Sequence, residues 1–273
     1  MCGRYATTRS AADLTALFEA VDLTNGAIEA DYNVAPTDPV PLVRMSVRNG
    51  GRVLDVARWG LVPSWAQDRR VGARMINARA ETVRAMKAFA IPFARRRCLI
   101  PATGWYEFTP RADGTTATAD NAAGRVRSGS SGRSRSRTGA KQPYFMTPRD
   151  GGPVVFGGLW TVWTEPGADE RLLTCSIVTT DAVGDLQHVH SRMPLVLAPD
   201  RWTPWLTATR DLDALLAPPS EELVAALEIR AVGPAVGDVR NDGPALIAPV
   251  PGYPDHGAAS LAPPPATADL TLF

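Results

Sequence analysis

From residue 111 to residue 140 the chain reads RADGTTATADNAAGRVRSGSSGRSRSRTGA, with no large apolar side chain except Val126. A stretch so poor in apolar groups buries too little surface to offset the entropy of ordering it, and it predicts a disordered surface loop. Any core must therefore come from the residues on its two sides. At 273 residues the chain can bury a substantial core, and one domain with appendages is the expected organisation. The second half of the loop holds Arg125, Arg127, Arg133, Arg135 and Arg137 and no acid. Two readings stay open for it, a solubilising insertion and a flexible arm that touches phosphates.

Composition adds limits rather than a function. Net charge is +1 although 27 of the 29 basic residues are arginine. Arginine binds phosphate bidentately, but an arginine- and alanine-rich usage also follows from GC-rich coding, so global charge assigns no nucleic acid. No apolar run is long enough to span a membrane, and no secretory signal is visible. Cys2, Cys98 and Cys175 are odd in number and lack metal-type spacing. That pattern points to a reducing compartment, the cytoplasm, and away from a disulfide scaffold. No metal or cofactor is expected.

On the near side of the loop, SAADLTALFEAV places Ser10 as an N-cap with Asp13 three residues on and Leu14, Leu17, Phe18 and Val21 on one face, the pattern of a short amphipathic helix. VPLVRMSV and RVLDVARW read as a hairpin about Asn49 and Gly50. A helix is expected over about 80–90, followed by CLIPATGWYEF as a buried strand ending at a glycine turn. On the far side, KQPYFMT, GPVVFGGLW and RLLTCSIVTT read as strands. Helices are expected over about 201–206 and, capped by Ser220, over 221–227. From about residue 252 the chain is rich in Pro and Ala and reads as an unstructured tail.

The opening MCGRYA puts a cysteine directly behind the initiator methionine. A small second residue lets the methionine be trimmed, which would leave Cys2 with a free α-amine and a thiol on one residue. The amine titrates near pH 8 and the thiol near 8.5, so about a tenth of the amine or more is an uncharged nucleophile near neutral pH. Three more polar residues stand isolated in apolar or glycine-bounded segments: Asn77 in MINARAET, Glu107 in TGWYEF and His190 in HVHSRMPLVL. Singly, the histidine reads as well as a satisfied structural group and the glutamate as a strand-end charge. Together with an N-terminal cysteine they supply a nucleophile, an acid/base pair and an orienting amide, the parts of covalent catalysis on a carbonyl.

MCGRYA, YNVAPT, WGLVPSW, INARAET, CLIPATGWYEF, KQPYF, HSRMPLVL and VGDVRNDGPALIAPV, in this order, resemble the SRAP (SOS response-associated peptidase) family, proteins that crosslink themselves to abasic sites in single-stranded DNA. The resemblance covers residues 2–251, interrupted only by the 111–140 insertion. It implies an α+β fold, a single mixed domain of strongly curved, barrel-like antiparallel sheets with peripheral helices. It further implies Cys2 as the crosslinking residue, Asn77 and Glu107 as its neighbours and His190 as the acid/base on the sugar side, the product being a thiazolidine. Arg4, Arg79 and Arg192 flank three of these residues and are expected to meet the phosphates on either side of the lesion, and Trp65 is a candidate wedge or stacking platform, against the alternative that it is a core tryptophan. Trp59, Trp105 and Trp160 read as structural. Phe108 departs from the family pattern, standing where many members carry a tryptophan.

The last residues, DLTLF, resemble the short clamp-binding peptide of bacterial replication proteins, with Leu270, Leu272 and Phe273 as apolar anchors and Asp269 in place of the usual glutamine. Chance similarity and a tail folded back on the core are the alternatives. For the site itself two rival functions remain: a thiol peptidase or N-terminal-nucleophile hydrolase built on Cys2, His190 and Glu107, and a noncovalent binder of damaged or modified DNA.

Overall fold

The computed structural model describes residues 2–251 except 47, 49, 111–140 and 168. The arginine-rich insertion and the 252–273 tail, with the readings attached to them, lie outside the described residues. In chain order the strands are β1 (Tyr5–Thr7), β2 (Val21–Asp22), β3 (Asp31–Val34), β4 (Pro39–Met45), β5 (Arg52–Trp59), β6 (Asn77–Arg79), β7 (Arg97–Ala102), β8 (Gly104–Pro110), β9 (Lys141–Pro148), β10 (Val154–Thr164), β11 (Arg171–Asp181), β12 (Arg192–Pro194) and β13 (Leu227–Ala231). The α-helices are α1 (Ala11–Phe18), α2 (Ala90–Arg95), α3 (Pro199–Thr207) and α4 (Glu221–Ala225).

Two sheets carry the fold. In the larger, β11, β10, β7, β4 and β5 pair antiparallel in turn, and β5 then pairs parallel with β11 through Thr174↔Arg58 and Cys175↔Trp59. The pairing closes a five-stranded ring, which removes the two edges an open sheet would leave unpaired. The second sheet runs β13-β9-β8-β1-β3. This is the mixed, barrel-like architecture with peripheral helices that the motifs imply. The parallel pairs β2–β5, β5–β11 and β6–β11 are the part that antiparallel patterning does not foretell.

Local signals explain most element boundaries. Ser10 Oγ accepts the Asp13 N–H at 3.1 Å and the Asp13 carboxylate accepts from the Ser10 N–H at 3.3 Å, closing a capping box at the start of α1. The helix ends sooner than its apolar spacing indicates. Glu19 turns left-handed (φ 50°), so Val21 falls in β2 and stands 53 % exposed while Leu14 and Phe18 are buried. The β4–β5 hairpin holds its register from Met45↔Arg52 to Pro39↔Arg58; of the two turn residues, Gly50 has φ 64° and Asn49 lies outside the described residues.

Three expectations are corrected. Residues 80–89 form successive reverse turns rather than a helix, with Thr82 and Phe89 N–H groups bonding Arg79 and Met86 carbonyls. Their buried side chains, Val83, Ala88 and Phe89, do not fall on one helical stripe. CLIPATGWYEF forms two strands, β7 and β8, because Thr103 turns away to bond Ala6 O at 2.7 Å. The last helix stops at Ala225, and Leu227 opens β13 against β9.

One core cluster joins the two sheets and takes in Cys2, Tyr5, Trp59, Trp105, Phe156, Cys98 and Cys175, all buried. The Tyr5 ring meets Trp59 edge-on at 5.1 Å and Phe156 at 5.9 Å. The start of the chain is thereby anchored in the interior. Gly104 permits the close crossing there, since a Cβ at that position would lie 2.3 Å from Met146 O. Arg97, buried, donates to Phe93 O (2.6 Å), Ala94 O (3.2 Å), Trp205 O (2.5 Å) and Ala208 O, the carbonyls that end α2 and α3. Those carbonyls have no intrahelical donor, and the guanidinium supplies one for each helix end.

Candidate active site

Cys2 precedes β1 and is fully buried. Tyr5 lies opposite Trp105, and Arg4 O accepts the Tyr106 N–H at 2.9 Å, so the chain start runs antiparallel along β8 toward Glu107. From the other side comes Asn77, the first residue of β6, in register with Ile177 of β11. Its Nδ2 donates to Cys2 O at 2.7 Å. A carbonyl only accepts, so the amide nitrogen faces Cys2, and Asn77 Oδ1 is left as a buried acceptor with no partner among the described residues.

Glu107 is 4 % exposed on β8, paired in register with Tyr144. Burial pushes its carboxyl up to about 7, with the positive charge of the amino terminus acting in the opposite sense. Burial also raises the Cys2 thiol well above its ordinary range, helped by the Glu107 charge and opposed by the amino terminus and the Arg4 N–H. The thiol therefore stays protonated at neutral pH.

His190 sits in the turn before β12. Thr109 Oγ1, on the strand that carries Glu107, donates to Val189 O at 2.9 Å and ties that turn to β8. His190 Nδ1 lies 2.9 Å from the Arg192 N–H and 3.2 Å from Arg192 O, so the backbone of Arg192 fixes the orientation of the ring. Burial, then the positive amino terminus, hold its pKa below the ordinary histidine value. Cys2, Asn77, Glu107 and His190, 188 residues apart at the extremes, thus converge on the start of the chain.

The expected DNA contacts divide. Trp65 is 52 % exposed, with Lys87 Nζ 5.1 Å from its ring centre, so it is no core tryptophan. Trp59 and Trp105 are buried, and Trp160 packs under Arg44 and Arg96 at 5.0 and 5.6 Å. Arg79 is exposed at the end of β6. Arg4 and Arg192 are engaged within the protein. Arg4 Nη1 donates to Asn33 Oδ1 at 2.5 Å and to Val236 O at 2.9 Å. Arg192 donates to Asp181 at 2.6 Å, to both oxygens of Glu81 at 2.8 and 3.0 Å and to Thr179 O at 2.8 Å, fastening the His190 turn to β11 and to the turns that follow β6. Glu81, Asp181 and Thr109 are positioning groups that sequence reasoning missed. Glu81 lies within the INARAET motif, four residues past Asn77, which is the signal that could have found it.

No group of three His, Cys, Asp or Glu side chains among the described residues is arranged to hold a metal ion. No helix among them is long and apolar enough to cross a membrane.

Comparison with known proteins supports the fold and the motifs together. YoaM of Bacillus subtilis, named an abasic site processing protein, is 33 % identical over 227 residues, which cover 80 % of this chain and 86 % of YoaM. YoqW of the same organism, named likewise, is 30 % identical over 255 residues, 90 % of this chain and 99 % of its own. YedK of Escherichia coli, also so named, is 28 % identical over 92 % of this chain and 100 % of its own. A crystal structure of a protein from Bacteroides thetaiotaomicron superposes with a TM-score of 0.71 at 20 % identity, covering 91 % of this chain and all of that one, and shows the same fold. The sequence model of SOS response associated peptidase (SRAP) matches residues 1–239, and with this buried, motif-built site at its amino terminus the chain belongs to the SRAP family.

Proposed function

We propose that the protein processes abasic sites in single-stranded DNA by bonding to them through Cys2 once Met1 has been removed. The observation that carries the reading is the buried Glu107 carboxyl, raised to about 7 on the strand that pairs with the start of the chain, with the Cys2 backbone held by Asn77. The names of YoaM and YoqW support the substrate class.

An abasic deoxyribose exchanges between a closed hemiacetal and an open aldehyde. His190 acts as the acid/base of opening, passing a proton to the ring oxygen and taking one back from the C1′ hydroxyl, so that the ring opens with no net proton change. Glu107 takes a proton from the α-ammonium of Cys2, and the freed amine attacks C1′. The same carboxyl returns that proton to the carbinolamine hydroxyl, which leaves as water and gives a Schiff base. The Cys2 sulfur then adds to C1′ while its proton passes to nitrogen, closing a five-membered thiazolidine. One water is lost overall. A lysine would stop at the reversible imine, which is the chemical reason for a residue carrying both amine and thiol. β-Elimination from the Schiff base would be a lyase side reaction. Trp65 and Arg79, both exposed, are the groups on which a strand passing the site would stack and neutralise its phosphates. Binding to a replication clamp through 269–273, in the cytoplasm, belongs to the same proposal.

The hydrolase alternative needs a thiolate at neutral pH. A thiol raised by burial and by a neighbouring carboxylate works against it. The test is to mix the protein, its amino terminus verified by mass, with single-stranded DNA carrying one abasic site and then to denature. A heat-stable adduct with the mass of both partners less one water, absent in Cys2→Ala, is expected. Lack of adduct from a correctly trimmed protein, or turnover of peptide instead, would overturn the reading.

A further inference from the structure

A groove of about 500 Å³ opens between α1, the β9–β10 turn, the segment leading into α3, and α4. Leu17, Val196, Trp202, Leu223 and Leu227 line it, and the exposed Arg149 and Asp150 are its charged members. Arg9 Nη2 donates to Gly151 O at 2.9 Å, which brings a second guanidinium to the same turn. None of these residues belongs to the Cys2 site. The volume is in the range that encloses a small apolar ligand, of about 300 to 1,000 Å³.

We propose that residues 269–273 of the same chain, DLTLF, dock in this groove, with Leu270, Leu272 and Phe273 as apolar anchors and Asp269 facing the guanidiniums of Arg9 and Arg149. The argument rests on reach and on chemistry. The described chain runs to Pro251, and Val250 N–H donates to Ala231 O at 2.9 Å, at one end of β13. Leu227, at the other end of that strand, lines the groove. Four residue steps of extended chain separate the two ends, about 13 Å. The 18 residues from 252 to 269 lie between the last described residue and the anchors. Eighteen residues span at most about 60 Å, well beyond the distance to be crossed, so the anchors are within reach of the groove. Tethering then counts for more than affinity. At an effective concentration of about 1 mM, even a peptide that binds in trans with a Kd of about 0.1 mM fills the groove roughly nine-tenths of the time. The segment before the anchors is rich in Pro and Ala, whereas 269–273 joins three large apolar side chains, which match the apolar wall of the groove, to an acid, which matches Arg9 and Arg149 on a turn that also carries Asp150. Docking in cis withholds the anchors from other proteins, and any partner that reads 269–273 has to compete with the groove.

The test uses the full chain, with and without the substitutions Leu270→Ser, Leu272→Ser and Phe273→Ser, and reads amide hydrogen exchange over 148–155 and 196–202. Exchange about tenfold faster in the triple variant is expected, in proportion to the occupancy lost. It should be unchanged on about twentyfold dilution of the native chain and be slowed again by adding the free peptide ATADLTLF. Equal exchange in the two proteins overturns the proposal. Protection that disappears on dilution also overturns it and assigns the groove to a second copy. The readout does not involve DNA, so it stands or falls apart from the abasic-site reading.

Discussion

Replacing Glu107 with Gln separates chemistry from stability, because the two should move in opposite directions. The folded carboxyl titrates at about 7. In the unfolded chain a glutamate titrates near 4.3, so folding takes up a proton between those values. The folded state then binds more protons than the unfolded one, and stability is complete below about pH 4.3 and lost as pH rises through about 7. At 1.36 kcal/mol per unit the loss by pH 8 is on the order of 3 kcal/mol. Glutamine keeps the shape and has no charge to bury. E107Q should therefore match the native protein near pH 4.5 and exceed its stability at pH 8 by on the order of 3 kcal/mol, while losing the proton acceptor for Cys2. Loss of a general base lowers rates by about 10² to 10⁴. Urea melts at the two pH values, with quenched time courses of adduct formation on abasic single-stranded DNA, measure both. The native adduct rate should also climb through about pH 7 as the carboxylate forms, a limb that E107Q should lack. A variant no more stable than the native chain at pH 8, or one that forms adduct within about threefold of the native rate, far inside the range for a lost base, would refute the placement of an ionisable base in a buried site.

Asn77→Ala removes the donor to Cys2 O and should cost about 1 kcal/mol in stability and lower adduct formation at least tenfold, read by melts and the same gel assay. His190→Gln should slow capture most with a closed-ring substrate and least with a small free aldehyde; equal slowing of both would remove His190 from ring opening. Since its folded pKa is lowered, its contribution to stability is present above the unfolded value of about 6.5 and is lost as pH falls through the folded value, a dependence that H190Q should lack in melts across that window. Trp65→Ala should weaken noncovalent binding of single-stranded DNA by about 1 to 3 kcal/mol with the melting temperature unchanged, as expected of an exposed stacking group. Arg97→Met, which leaves the terminal carbonyls of α2 and α3 buried without donors, should cost about 3 to 5 kcal/mol in a denaturant melt while sparing the Cys2 site.

What the amino-acid sequence determined by itself is whatever depends on near neighbours or on residue chemistry. The Ser10–Asp13 capping box, the β4–β5 hairpin and the strands of KQPYFMT and RLLTCSIVTT follow from spacing and turn residues, and their positions agree with the structure. Cys2, Asn77, Glu107 and His190 stood out as polar groups in apolar segments. Tertiary structure decided what depends on contacts distant along the chain. The turns at 80–89 have good helix-forming residues, but Val83, Ala88 and Phe89 reach the core only if the backbone coils irregularly. Arg4 and Arg192 look like phosphate ligands in sequence, yet their acceptors, Asn33, Val236, Glu81 and Asp181, come from segments that only the fold brings near. The near-neutral carboxyl of Glu107 has the same origin. Its value is set chiefly by loss of water, and desolvation is a property of the packed interior that no local stretch of sequence contains.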